Sequence, residues 1–404
     1  MPLQAAFTLN ANEIFASIAN MIISQQVFAD NIGKHQTLVD KARVDGTLFG
    51  DKKLYYATDV LKSVPWTGDS EASNLLALAR PDDPKVQDIT LNKFRQIRLT
   101  VDNYLSKRAW SDEGAFSSFQ SVMLGWMRET KRIYDGTLYN TYIGTTVGTQ
   151  GKQNQTVDLG TGSGHPLYQL TGVEKEQMEA MLIAQKLADL MVDMGDYSRD
   201  FNDYGFLRSY ANDAIDVIWN AKYVNKIRKV DLPTIFHKDG LVDKFEEDVM
   251  PARYFGTVIT ASNVSTYSAA SPTTGKPIDS DDDTYVPGAN HANGCIRSMV
   301  EKDIGTGSGT ASAGTAAQHV FPGDEIPAGS TIKSGGDFEL GEVYIEDPTV
   351  ICKVLVKLPP LMSAFEVGTS FFNPRSLTEN HYLTWGHNTL EKLDNYPFIT
   401  IKAA

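Results

Sequence analysis

The aspartate-rich run between residues 279 and 283 is the part of the sequence that could most directly bind a cation. It reads Asp279-Ser280-Asp281-Asp282-Asp283, and carboxylate oxygens are ligands that calcium prefers. An EF-hand loop also needs a glycine near its centre and a glutamate at its end, and this run has neither. The run therefore predicts a solvated loop, not a calcium site.

Histidine and cysteine are the other residues that could bind metal or catalyse a reaction. The seven histidines are scattered, and neither Cys295 nor Cys352 has a partner at metal-ligand spacing. His381 and His387 lie on either side of Trp385 in a strand-like stretch, which favours packed or surface side chains. The linear order shows no Ser/His/Asp or paired-carboxylate arrangement. We predict no enzyme activity, and no catalytic, cofactor-binding or metal-binding residues.

The glycine-rich string Asp158–Gly164, DLGTGSG, resembles the first motif of S-adenosylmethionine-dependent methyltransferases. In that motif a buried strand leads into a glycine turn, whose backbone approaches the cofactor before a helix begins. Here the preceding GKQNQTV is too polar to predict a strand, Pro166 follows closely, and the next helix is predicted only near Glu174. GTGSG recurs at Gly305–Gly309, which favours a flexible linker. A methyltransferase stays the less favoured alternative.

A long helix over residues 111–143 is the element around which the rest of the chain is predicted to fold. It begins at Ser111 or Asp112 and stops near Gly144, without a proline between them. Its apolar stripe recurs at spacings of three and four: Phe116, Phe119, Met123, Trp126, Thr130 and Ile133. Its charged residues fall mostly off that stripe: Arg128, Glu129, Lys131 and Arg132. A stripe on one side predicts a helix that lies across a sheet.

The segment before this helix predicts extended structure. Residues 46–60 and 86–101 have strand character, with Ile97, Leu99 and Val101 alternating, and the stretch between them is rich in turn formers. They predict a long two-stranded ribbon. Because an isolated hairpin is marginally stable in water, the ribbon should lie on another subunit. An amphipathic helix is predicted over residues 9–32.

The segment after the long helix predicts a mixed α/β region. Thr171 and Glu174 form a capping-box pattern that opens a second helix, with Leu187 and Leu190 on its apolar face. Strands are predicted at AIDVIWN, RYFGTVITAS, VICKVLVKL and YPFITIK, and residues 261–340 predict surface loops rich in Ser, Thr, Gly and Asp.

Length and composition limit the function classes. The chain has 404 residues, 42% of them hydrophobic and 22% charged, which predicts a folded protein of two or more domains. Its formal net charge of −13 argues against a surface that binds nucleic acid throughout. No apolar run predicts a membrane span or a signal peptide. Two cysteines are too few for a disulfide framework.

The order of these parts resembles the major capsid proteins of tailed bacteriophages with the Hong Kong 97 fold. DNYLSKRAWSDEGAFSSFQSVM and NPRSLTENHYLTWGHNTLEKL are similar to capsid sequences of small podoviruses. The resemblance implies an α+β capsid fold with four parts. These are an N-terminal arm (1–45), an extended two-stranded E-loop (46–101), a peripheral domain (102–170 and 361–404) with the spine helix at 111–143, and an α/β axial domain (171–360) with a loop-rich insertion at 261–340.

The resemblance also implies a function. The chain would self-assemble, as pentamers and hexamers, into an icosahedral head that encloses double-stranded DNA without sequence specificity. Portal and scaffolding or minor head proteins would be its other partners, with no membrane. It would be located in the virion after assembly in the host cytoplasm. Arg128, Lys131 and Arg132 would face the DNA or pair with neighbouring subunits. An encapsulin-type nanocompartment shell is the alternative of the same fold.

Overall fold

The computed structural model describes residues 37–45, 52–63, 65, 78, 80–102, 113–224, 246–265, 295–304, 318–327 and 330–404. The helix predicted over residues 9–32 and the aspartate-rich run lie outside these residues. The chain divides into two compact units. The first comprises residues 1–52, 89–140 and 360–390, and the second comprises 53–88, 141–359 and 391–404.

The first unit is built from a sheet and most of one long helix. Its elements are a short helix (Thr37–Ala42), β1 (Arg43–Asp45), most of β3 (Lys85–Asp102), most of the spine helix (Glu113–Thr145), β13 (Leu361–Asn373) and β14 (Thr378–Asn388). The strands lie in the order β1-β13-β14-β3. β1 is parallel to β13, and the other pairs are antiparallel.

The partner of β3 corrects the predicted ribbon. β3 pairs with β14 from Leu91 to Asp102, for example Arg98 with Tyr382. β3 also neighbours β2 (Lys52–Ala57) in this sheet, so the two strands predicted in residues 46–101 do pair. Most of the returning strand, however, lies against β14 and does not belong to an isolated two-stranded excursion. The alternation of Ile97, Leu99 and Val101 indicates that one face of β3 is covered. It does not indicate which strand pairs with β3.

The spine helix begins and ends within two residues of its predicted bounds, but its buried face differs from the predicted stripe. Trp126, Thr130 and Ile133 are only partly buried. The fully buried side chains lie on a face turned by about one residue, roughly 100°: Met127, Lys131, Tyr134 and Tyr139. The prediction was wrong because it assigned Lys131 to the exposed face on residue type alone. The side chains of residues 113–124 are outside the described set.

Gly144 does not end the spine helix, which continues to Thr145. A Cβ atom at Gly144 would lie 2.0 Å from the carbonyl oxygen of Tyr254. Only glycine permits so close an approach of a second backbone. The glycine is therefore explained by packing within the second unit, not by helix termination.

The second unit has a five-stranded sheet covered by the second helix (Gly172–Gly195). Its strands lie in the order β4 (Asn154–Val157), β15 (Phe398–Ala403), β12 (Val350–Leu355), β5 (Asp216–Asn220) and β6 (Glu246–Met250). The helix contributes Ile183, Leu187, Leu190, Met191 and Met194 to the core. Thr171 is at its N-cap as predicted, but its side chain makes no capping hydrogen bond.

The placement of the last strand differs from the prediction, and its neighbour β12 carries a buried lysine. β15 pairs with β12 and β4 in the second unit, although the resemblance places residues 361–404 together in a peripheral domain. β12 is the strand predicted at VICKVLVKL, and it is buried along its whole length, including Lys353. β12 has strands on both sides, and both faces of such an inner strand can be covered.

Residues 261–340 contain a small core in addition to loops. The nearby strands are β7 (Gly256–Val258), β8 (Ile296–Ser298), β9 (Lys302–Ile304), β10 (Gln318–Val320) and β11 (Val343–Glu346). β11 lies between β7 and β8, and β9 pairs with β10. Buried apolar side chains form the core: Ile259, Ile296, Ile304, Val320, Ile326, Ile332, Phe338 and Val343. The prediction of surface loops is therefore corrected for the described residues.

Candidate assembly surfaces

The glycine-rich string Asp158–Gly164 lies in a turn that follows β4. The sequence predicted no strand there, and the structure corrects that prediction: β4 is an edge strand, where polar side chains can face solvent. The Asp158 Oδ1 atom accepts a hydrogen bond of 2.9 Å from the Gly160 amide, which closes a local turn. The next α-helix starts only at Gly172. The string therefore lacks the helix N-terminus that a methyltransferase motif requires.

The histidines and cysteines singled out in the sequence are packed within the fold. His381 and His387 are buried, Cys352 is buried, and Cys295 is partly buried. Among the described residues, no group of three or more His, Cys, Asp or Glu side chains is arranged to hold a metal ion. The structure thus brings none of these residues together as a site.

Three basic residues of the spine helix were predicted to face DNA or a neighbouring subunit. Lys131 instead lies buried, with its Nζ atom 3.4 Å from Asp135 Oδ2 and 3.6 Å from Glu366 Oε2. Arg128 is exposed and lies 3.9 Å from Glu366, while Arg132 is partly buried. Lys131 is thus a structural cation of the first unit, which corrects its predicted role.

Asp135 is the second member of this buried charge network. Its carboxylate also lies 3.5 Å from an Arg43 nitrogen. Burial raises the pKa of Asp135, while the nearby charges of Lys131 and Arg43 act in the opposite direction. The two cations compensate in part for removing this carboxylate from water.

A neutral network continues along the same face of the spine helix. The Tyr134 hydroxyl lies 3.0 Å from His387 Nε2, and His387 Nδ1 lies 2.9 Å from the Asn388 carbonyl oxygen. Burial lowers the pKa of His387, so the imidazole is favoured in its neutral form. The Arg95 guanidinium stacks 4.6 Å from the Tyr134 ring centre.

A second buried lysine lies in the core of the second unit. Lys353 Nζ donates hydrogen bonds to the Thr146 carbonyl oxygen (2.8 Å) and to Thr400 Oγ1 (3.0 Å). Burial lowers the pKa of Lys353 to about 7, and the Lys402 charge acts in the same direction. Neither hydrogen-bond partner is charged, and a group with this pKa is partly deprotonated near neutral pH.

The first candidate assembly surface, the arm surface, belongs to the second unit. It comprises exposed apolar side chains on β2 (Lys52–Ala57), on the segment after it and near the start of β3: Leu54, Tyr56, Leu61, Leu78 and Val86. Leu61 and Leu78 are 78% and 83% exposed. Exposed large apolar side chains within one segment indicate a surface that another molecule can cover.

The second candidate surface, the hairpin surface, belongs to the first unit. β13 and β14 form an antiparallel hairpin that turns between Asn373 and Thr378. Phe371, Phe372 and Leu377 are exposed near this turn, Phe371 by 62%. Adjacent residues of a strand point to opposite faces, so both faces carry an exposed phenyl ring near the turn.

Sequence reasoning did not single out the hairpin surface. The signal is present in SFFNPRSL, where two phenylalanines stand directly before a turn sequence. A strand with one covered face has polar residues at alternate positions. Two adjacent phenylalanines break that alternation and indicate that an apolar ring is exposed.

Comparisons with known proteins identify similar structures. No protein-family model and no curated protein matches the chain. A chain in the capsid structure of Staphylococcus phage Andhra matches 92% of this chain over 84% of its own length, at 10% identity and a TM-score of 0.52. A chain in the structure of the head fiber and inner core protein gp22 of native bacteriophage P68 matches 90% over 83% of its length, at 8% identity and a TM-score of 0.53.

These two matches show that the chain shares its fold with chains of phage particles. At 8–10% identity, the likeness is one of fold alone. The described part of the chain contains no helix long and apolar enough to cross a membrane.

Proposed function

We propose that the chain is the major capsid protein of a tailed bacteriophage, with the Hong Kong 97 fold and closest in kind to those of small podoviruses. It assembles, as pentamers and hexamers, into an icosahedral head around double-stranded DNA. The observation that carries the proposal is the likeness of fold to a chain of a phage capsid over 92% of the sequence.

The two candidate surfaces support this proposal on physical grounds. The arm surface and the hairpin surface expose large apolar side chains that the described part of the chain leaves uncovered. Repeated contacts between identical subunits bury such surfaces, and contacts that close by symmetry give a finite shell. In this proposal each surface lies against another copy of the chain.

The remaining partners follow from the same proposal. Portal and scaffolding or minor head proteins would contact the shell, and the enclosed DNA would be held without sequence specificity. The net charge of −13 weakens attraction between the shell and DNA, because like charges repel across a Debye length of about 10 Å. The protein would be located in the virion after assembly in the host cytoplasm.

Negative-stain electron microscopy and sedimentation of the purified chain test the proposal. We expect closed shells, or rings of five and six subunits. Replacing Phe371 and Phe372 together by serine should reduce assembly at least about tenfold, because buried aromatic residues dominate the energy of an interface. Val192→Ser is the control, since Val192 is an apolar side chain that is also exposed, on the second helix outside both candidate surfaces. A monomer that persists at high concentration with scaffolding protein added would overturn the proposal.

A further inference from the structure

The segment between β2 and β3, which carries Leu61 and Leu78 of the arm surface, is fixed at its outgoing end by Asp59. The Asp59 Oδ2 atom accepts a hydrogen bond of 2.6 Å from Arg199, and Oδ1 accepts bonds from the amides of Leu207 (3.0 Å) and Val60 (2.9 Å). The Arg199 hydrogen bond is the main reason that the pKa of Asp59 is lowered to about 2. Asp59 is therefore ionised at any physiological pH. We call this contact the Asp59 clamp.

The returning end is fixed by Gln87 at the start of β3. The Gln87 Nε2 atom donates a hydrogen bond of 2.7 Å to the carbonyl oxygen of Lys392. Its Oε1 atom accepts a bond of 3.1 Å from the amide of Asp394. A side-chain amide that both donates to and accepts from one backbone segment is fixed in position and in orientation. We call this contact the Gln87 clamp.

The two clamps attach to segments that are bonded to each other. The Asp203 amide donates to the Asp394 carbonyl oxygen at 2.8 Å, and the Tyr210 hydroxyl donates to the Asn395 carbonyl oxygen at 3.3 Å. Lys392 also pairs with Asp203. Residues 198–210 and 392–395 thus form one support for both ends of the arm segment.

The described residues beyond the clamps make few bonds to this support. Lys62 and Asp82 form an exposed ion pair at 3.0 Å, which joins the outgoing side to the returning side. Leu61 lies two residues past Asp59 and is among the most exposed apolar side chains. The direction of the arm surface is therefore set mainly where the chain leaves and re-enters the support.

We propose that Asp59, Arg199 and Gln87 are positioning residues that fix the direction in which the arm surface leaves its subunit. This inference rests on the proposed function. Attachment at one point leaves a segment free to rotate about that point, whereas attachment at two points removes the rotation. A contact made at one fixed angle can close into a shell, and a contact made at variable angles gives open or irregular assemblies.

The test uses the full chain with Asp59→Asn, Gln87→Glu and the double variant. Asparagine keeps the size of Asp59 but removes the charge that Arg199 binds. Glutamate at position 87 cannot donate to the Lys392 carbonyl oxygen and places a carboxylate against it. Asp82→Asn is the matched control, because it removes an exposed carboxylate of the same segment outside both clamps. A thermal melt of each variant establishes that it is folded.

Two measurements decide the outcome. In unassembled subunits, we expect the Leu207 amide of Asp59→Asn and the Asp394 amide of Gln87→Glu to exchange hydrogen at least about threefold faster, because local opening is less opposed. Negative-stain images should show a wider range of shell diameters and more open shells for the double variant than for Asp82→Asn.

Different results would overturn the inference and the proposed function. If the amides of Leu207 and Asp394 exchange hydrogen as slowly in the variants as in the unmodified chain, the inference is overturned. It is also overturned if these amides exchange faster but the shells of the double variant are as uniform as those of the unmodified chain. Neither result affects the proposed function. If the unmodified chain forms neither shells nor rings with scaffolding protein added, the proposed function fails and the inference fails with it. If Asp59→Asn does not fold, Gln87→Glu tests the second clamp by the same two measurements.

Discussion

Two buried lysines, one in each unit, show how differently the same residue type is accommodated. Lys131 on the spine helix lies between two carboxylates, Asp135 and Glu366. Lys353 in the inner strand β12 is bonded to a carbonyl oxygen and a hydroxyl group. The two carboxylates compensate for the hydration that Lys131 loses on burial, whereas burial lowers the pKa of Lys353 to about 7. The neighbouring groups, and not burial alone, decide how each side chain is accommodated.

The largest expected effect comes from removing the main partner of Lys131. Asp135→Asn keeps the shape of the side chain but leaves a buried cation without its nearest carboxylate. We expect the free energy of unfolding to fall by about 3–5 kcal/mol, the usual cost of breaking a buried ion pair. Denaturant unfolding of the unassembled subunit measures it.

Arg128→Gln is the control for this variant, because Arg128 is 80% exposed and lies 3.9 Å from the same Glu366. A surface ion pair of this kind should change stability by less than about 1 kcal/mol. Equal effects of the two variants would contradict the contrast between buried and exposed cations on this helix.

The second prediction concerns the pH dependence that Lys353 causes. Its pKa is about 7 in the folded chain and about 10.4 when unfolded, so the unfolded chain binds more protons between these values. Stability should therefore rise with pH across this window, by about 1 kcal/mol per pH unit near its middle. As the pH falls towards 7, that contribution is lost.

Lys353→Met removes this titration while keeping the length of the side chain. Urea unfolding at pH 7, 8 and 9 should show a smaller rise of stability with pH in the variant than in the unmodified chain. Subtracting the two curves removes the contribution of other lysines and of tyrosines. If stability rises equally with pH in Lys353→Met and in the unmodified chain, Lys353 has an ordinary pKa. The contrast between the surroundings of the two lysines would then be contradicted.

The smallest expected effect is that of Tyr134→Phe, one turn along the spine helix from Lys131. It removes the hydroxyl that lies 3.0 Å from His387 Nε2. Losing a hydrogen bond between two neutral groups should cost about 1–2 kcal/mol, which is less than the loss at Asp135. A thermal melt at neutral pH measures it, with Tyr168→Phe on the exposed surface as the control. A larger loss of stability in Tyr134→Phe than in Asp135→Asn would contradict the prediction that the buried ion pair contributes more than the neutral hydrogen bond.

The elements of the fold were largely predictable from the sequence, but their partners were not. Alternation placed β3, β12 and β15, and the spacing of apolar residues placed both long helices. The spacing of apolar residues indicates that one face of an element is covered. It does not show that β3 pairs with β14 or that β15 lies between β12 and β4.

The buried lysines show why the site-level predictions were less complete. A lysine in a periodic pattern predicts an exposed position, yet Lys131 is paired with Glu366, and Lys353 is bonded to Thr146 and Thr400. Glu366, Thr146 and Thr400 are far from these lysines in the sequence, so no local spacing indicates them. Only Asp135, four residues after Lys131, lies at a spacing that a helix brings together. The hairpin surface was readable from Phe371 and Phe372, since their pattern is local.

The position of β15 has a consequence for the timing of synthesis. Asn154 pairs with Thr400, so β4 waits for a strand that is synthesised much later. The five-stranded sheet cannot close while the ribosome still holds residues 398–403, because contacts distant in sequence form late. A nascent chain therefore lacks a completed second unit until β15 has left the ribosome, and the core under the second helix stays open to solvent until then.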